Sequence, residues 1–161
     1  MKKEEVLKEL EKKFKEMKEE LSLKIELEEL NRVFFIKDFI LNEGFVSENL
    51  SRQICSRITH TYSLWVNYLN GILMPNQGYM PLQIESKLFS SKEERERIWE
   101  LIRKAMEITS RNSLIGLTKD KKEEGKFIED AFHTWNEMRE ELERMMEKVN
   151  KQWKEESEKE Q

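Results

Sequence analysis

Near the end of the chain the apolar residues Ile128, Ala131, Trp135, Met138, Leu142, Met145 and Val149 follow one another in steps that alternate three and four. Such a stripe stays on one side of an α-helix and on neither face of a strand, and charged residues fill most positions between. An apolar seam this narrow must be covered by another helix. The rest of the chain agrees: only 5 Gly and 2 Pro interrupt long runs of Lys, Glu, Leu and Met. The class expected is all-α.

The spacing predicts four long helices. Leu7, Leu10, Phe14, Met17 and Leu21 begin the first, which is expected to run over residues 2–42 and to stop at Gly44, since glycine enters the left-handed conformation at little cost. Within it, "LSLKIEL" (21–27) alternates as a strand would. With helix formers on both sides it is assigned to the helix, and a break near Ser22, giving five helices, is the alternative.

Ser47 is the expected N-cap of a second helix that stops at Gly71. Both prolines lie in 72–86, which is therefore assigned to a loop. Ser91 and Glu94 form the S-x-x-E pattern of a capping box, opening a third helix with Ile98, Trp99, Ile102, Ala105 and Met106 inward. Residues 111–117 are assigned to a connection, and the last helix to the stretch from Thr118 onward.

The expected architecture is thus an antiparallel four-helix bundle, one domain over 1–161, with the tail 154–161 frayed. The long first and last helices would pair as a projecting arm.

Charge bounds the function. With 33 acidic against 29 basic residues, finely mixed, the chain lacks the basic excess usual in nucleic-acid binders. A nucleic-acid partner is therefore not favoured. One cysteine excludes an intrachain disulfide framework and a multi-cysteine zinc site. The start "MKKEEVLKEL" has no signal-peptide core, and no apolar run reaches the roughly 18 residues of a membrane span, so a cytoplasmic chain without membrane contact is expected. The heavy use of Lys and Glu resembles the bias of hyperthermophile proteins.

The most informative stretch is one where charge is missing. From Ser47 to Leu88 the only charged residues are Glu48, Arg52, Arg57, Glu85 and Lys87. The outer face of the second helix carries Ser56, Thr59, Ser63, Asn67 and Asn70 instead, followed by Met74, Tyr79 and Met80. Charged groups are costly to desolvate, and aromatic residues and Met are enriched at interface cores. These eight residues are the expected interaction surface, with the 72–84 loop as part of it. The partner expected is a second copy or another protein, and the chain is expected to be non-enzymatic.

Within this stretch "HTY", with Arg57, His60 and Tyr62, looks like the H-x-Y end of the R-x(4–6)-H-x-Y motif of HEPN domains, helical modules that bind or cleave RNA. Two residues separate Arg57 from His60 and seven separate Arg52, so the arginine spacing departs from the pattern. The resemblance implies an alternative RNA site at Arg57, His60 and Tyr62.

Cys55 and His60 do not make a nucleophile–base pair, because five residues turn a helix by about 500° and leave them about 140° apart. His133, with Asp130 and Glu137 at helical spacing, is half of a two-metal bundle site whose second acid–histidine pair is missing. No phosphate loop, nucleophile elbow or zinc cluster is present, and neither metal nor cofactor is expected.

Overall fold

The computed structural model describes residues 2–159, and the all-α class is borne out. Seven helices follow in order among the described residues: α1 (Lys3–Leu21), α2 (Leu27–Phe34), α3 (Ile36–Glu43), α4 (Leu50–Leu73), α5 (Met80–Lys87), α6 (Lys92–Thr118) and α7 (Lys121–Lys159). None is long and apolar enough to cross a membrane.

The expected four helices are corrected at four places. The single helix over 2–42 is three. Ser22 takes φ 54°, and the chain closes α1 with Ser22 N–H donating to Glu19 O (3.4 Å) and Leu23 N–H to Lys18 O (3.0 Å). That pair of bonds is a Schellman cap. The segment beyond it is irregular, with Glu26 extended before α2, and it buries Leu23, Ile25 and Leu27 while Ser22, Lys24 and Glu26 face water. The alternation in "LSLKIEL" is therefore the signature of non-helical chain, and the flanking helix formers do not override it.

The second break falls at Phe35, again left-handed at φ 54°. On a continuous helix Phe34 and Ile36 would point about 200° apart. Both are fully buried here. The left-handed residue between them turns the chain so that both reach the core, at about 1–2 kcal/mol of backbone cost. Asn31 secures the turn: its carbonyl accepts from Phe35 N–H (2.9 Å) and its side-chain Oδ1 from Lys37 N–H (2.8 Å). Gly44, at φ 82°, closes α3.

Third, the proline-containing segment holds a helix. Pro81 lies in the first turn of α5, where a missing N–H costs nothing. α4 runs past the expected stop at Gly71 to Leu73. Gly71 serves close approach instead: a Cβ there would lie 2.7 Å from Leu82 Cδ2. α4 also starts later than Ser47, with Asn49 Oδ1 accepting from Arg52 N–H (3.3 Å) as the N-cap.

Fourth, 111–117 is no connection but the last two turns of α6. Gly116 sits inside the helix with the Arg52 guanidinium 3.7 Å from where its Cβ would be. Lys119 (φ 57°) and Asp120, whose Oδ1 accepts from Lys122 N–H (3.0 Å), then start α7. The tail assigned as frayed is helical through Lys159, and its last two residues lie outside the described ones.

The chain divides into two compact units: Met1–Tyr62 with Ile108–His133, and Ser63–Glu107 with Thr134–Gln161. In unit 1, α1 packs on α3, and its Val6, Leu10, Phe14 and Met17 are buried. Leu30, Phe34, Ile40, Ile54, Ile58, Tyr62 and Phe127 complete this core. In unit 2 the core is Leu69, Ile72, Phe89, Ile98, Ala105, Met138, Leu142 and Met145. Every residue of the seam from Ile128 to Val149 is buried.

Polar contacts add to the apolar core of unit 2. The Arg144 guanidinium grips the Glu94 carboxylate, and Ser86 Oγ donates to the Ile72 carbonyl at 2.5 Å, fastening α5 to the end of α4. Tyr68 OH donates to Glu85 at 2.5 Å in the same place. Burial, then the Glu85 carboxylate, pushes the Tyr68 phenol far above the ordinary tyrosine value, so it stays protonated and donating.

Candidate interaction surfaces

The stripe on α4 divides between the units. In unit 1, Ser56 is exposed and Thr59 half-buried. In unit 2, Ser63 is half-buried and Asn67 and Asn70 are exposed, on one side of the helix. Beyond them Met74 is 75% exposed, Tyr79 56% and Met80 70%. Leu64, beside Ser63, is 57% exposed. Four large apolar side chains thus stand exposed in the stretch poorest in charge, three of them within residues 74–80, while others such as Leu114 and Leu117 stand exposed elsewhere.

This cluster is held by ordinary local forces. Met74 N–H donates to Asn70 O (2.8 Å), extending the last turn of α4. Asn76 organises the bend, its Oδ1 accepting from Gly78 N–H (2.9 Å) and its carbonyl from Tyr79 N–H (3.0 Å) and Gln83 Nε2 (3.1 Å). The segment 74–80 is therefore a shaped turn that presents its methionines outward.

The three residues of the HEPN-like pattern are not brought together. Tyr62 is fully buried, its hydroxyl donating to the Ala131 carbonyl (2.6 Å) and its ring lying against Phe34. Arg57 Nε donates to the Phe34 carbonyl (2.9 Å), and the guanidinium lies over the Phe39 ring (5.5 Å). His60 alone of the three faces solvent. Two residues of helix separate His60 from Tyr62 by about 200°, which puts them on opposite sides.

Cys55 is fully buried, its Sγ 3.7 Å from the Glu124 carbonyl. Burial, reinforced by the Glu124 charge, pushes the thiol up to about 12. It is a small packing residue, not a nucleophile. His133 is exposed and edge-on to Phe132, while Asp130 is engaged by Arg111 (2.7 Å). Among the described residues no group of three or more His, Cys, Asp or Glu side chains is placed to hold a metal ion.

Two features of the site region were not anticipated. Arg52 on α4 reaches Asn112 on α6, with Nη2 2.6 Å from its Oδ1. No spacing pattern announces a contact between helices so far apart in sequence. Trp99, assigned to the inner face of α6, is 53% exposed, and Met106 is 47% exposed. The buried line is Ile98, Leu101, Ile102, Ala105 and Ile108. Including Leu101 would have moved the centre of that arc away from Trp99.

The described residues form an all-helical chain in which Leu64, Met74, Tyr79 and Met80 stand exposed on α4 and the segment after it. The chain matches no protein-family model, and no curated protein or solved structure is similar to it.

Proposed function

We propose that this protein works by protein–protein contact, as a non-enzymatic, self-associating helical chain of the cytoplasm. The contact surface in this reading lies on unit 2: Ser63, Asn67 and Asn70 of α4, with Met74, Tyr79 and Met80 beyond it. One observation carries the reading. Three large apolar side chains within seven residues stand more than half exposed, in the stretch where charge is scarcest. Exposed apolar groups gathered in one place mark association sites, and Met adapts its shape to a partner surface. The free, buried Cys55 suits a reducing compartment.

Sedimentation velocity on the full chain tests this. A concentration-dependent shift to a dimer or larger species is expected, weakened by Asn67→Glu or Met80→Glu with helix content intact. A strictly monomeric chain would overturn it, and so would association indifferent to both substitutions.

A further inference from the structure

The solvent face of α6 within unit 2 carries a pattern of its own. At about 100° per residue, Lys92, Glu96, Trp99, Glu100, Arg103 and Glu107 all fall within about 50° of one direction. All six are exposed, while Ile98, Leu101, Ile102 and Ala105 line the opposite side. Lys92 and Glu107 lie equally far from the midpoint between Trp99 and Glu100, and so do Glu96 and Arg103. Each matched pair joins opposite charges. An open groove of about 790 Å³ lies on this face, with Leu73 and Trp99 both in its lining. Arg95, on the flank, donates to the Leu73 carbonyl (2.9 Å) and keeps that residue in place.

We infer that this face packs against the same face of a second copy of the chain, antiparallel, about a two-fold axis beside Trp99 and Glu100. A two-fold axis brings each residue opposite its match across the midpoint. Lys92 then meets Glu107 of the partner subunit, and Glu96 meets Arg103 of the partner subunit. A parallel pairing would instead set Lys92 against Lys92 of the partner subunit, and like charges at that distance repel. Trp99 lies at the centre, where a half-exposed indole gains most from burial. The ion pair that Arg103 makes with Glu100 on its own helix is exposed and weakly held, so Arg103 is free to exchange it. The inference concerns a surface other than that of the proposed function, and stands or falls separately.

Sedimentation equilibrium on the full chain tests it by charge reversal. Glu96→Lys and Arg103→Glu each place like charges opposite one another twice per dimer and are expected to weaken self-association about tenfold. The double variant Glu96→Lys/Arg103→Glu restores opposite signs and is expected to return the affinity to within about threefold of wild type. Circular dichroism confirms that helix content is retained. Single variants with wild-type affinity, or a double variant as weak as the singles combined, would overturn the inference. If Met80→Glu alone weakens association, the proposed function keeps its surface and the α6 pairing falls. If only the charge variants act, the α6 pairing holds and the Met74–Met80 surface falls. A monomer at every concentration removes both.

Discussion

Arg144 holds Glu94 with two parallel hydrogen bonds, Nη1 to Oε1 at 3.2 Å and Nη2 to Oε2 at 2.8 Å, and also donates to Glu141 at 2.6 Å. This fork ties the first turn of α6 to α7 within unit 2. The hydrogen bonds from Arg144 hold the Glu94 carboxyl below the ordinary glutamate range against the opposing effect of burial. A carboxylate whose folded value is depressed stabilises the fold above its unfolded value and loses that contribution as pH falls. Arg144→Ala is therefore expected to cost about 2 kcal/mol near neutral pH. The gap from wild type should be full above about pH 4.3, the ordinary glutamate value, and close as pH falls through the lower folded one. Urea unfolding of both proteins across pH measures it. A gap that persists unchanged into strong acid would refute the assignment.

Cys55 is expected to resist alkylation in the folded protein at about pH 8, where an exposed thiol reacts readily. Burial and a thiol value near 12 leave almost no thiolate. Iodoacetamide labelling followed by mass spectrometry checks this. Full labelling is expected only on unfolding, and rapid labelling of the native chain would contradict the burial described.

Two left-handed residues predict opposite effects. Gly44→Ala adds a Cβ that meets nothing within 4 Å, so its cost is purely conformational. About 1 kcal/mol of destabilisation is expected. Phe35→Gly relieves the same strain at a residue 56% exposed. A gain of up to about 1 kcal/mol is expected to the extent that the strain relieved exceeds the partial apolar burial given up. Thermal unfolding of the two variants should move the midpoint in opposite directions, and movement in the same direction would show that Phe35 contributes more by contact than it costs by strain.

Tyr62→Phe removes a 2.6 Å hydrogen bond to the Ala131 carbonyl while keeping the ring in the core. A loss of about 1 kcal/mol is expected, the usual net value of one neutral hydrogen bond. Denaturant titration reads it directly. A loss above about 3 kcal/mol would mean that the ring itself is displaced.

What the sequence makes legible here is periodicity, and what it hides is competition between local rules. The α7 stripe, the Gly44 stop and the Ser91 cap, whose Oγ accepts from Glu94 N–H (3.1 Å), each depend on a few neighbouring residues, and all three appear in the structure. Residues 22–26 carry two signals at once, a period of two and a helix-forming composition, and burial of Leu23, Ile25 and Leu27 decides for the first. Pro81 reads as a breaker because its effect depends on its place in the helix, which sequence alone does not supply. Gly116 likewise reads as an interruption, although one glycine costs a helix only about 1 kcal/mol and α6 makes it up by packing.

The candidate surfaces follow the same division. Depletion of charge over 47–88 is visible as composition, and it directs attention to Met74, Tyr79 and Met80. The exposure of Trp99 is not visible that way. Its neighbours Ile98 and Leu101 are apolar too, and only the exact centre of the buried arc separates an inward residue from an outward one. Arg52 and Asn112 meet because the fold brings the start of α4 to the end of α6 in unit 1, which no local pattern encodes.

The left-handed Phe35 has a consequence for how this chain tolerates change in length. It acts as a phase shift between two helical ladders, setting Ile36 and Ile40 on the core side after Leu30 and Phe34 have already used it. Removing that one residue would join α2 and α3 into a single ladder whose later rungs are turned by about 100°. Deletion at position 35 should therefore be far more damaging than any substitution there, although the side chain itself lies largely in water.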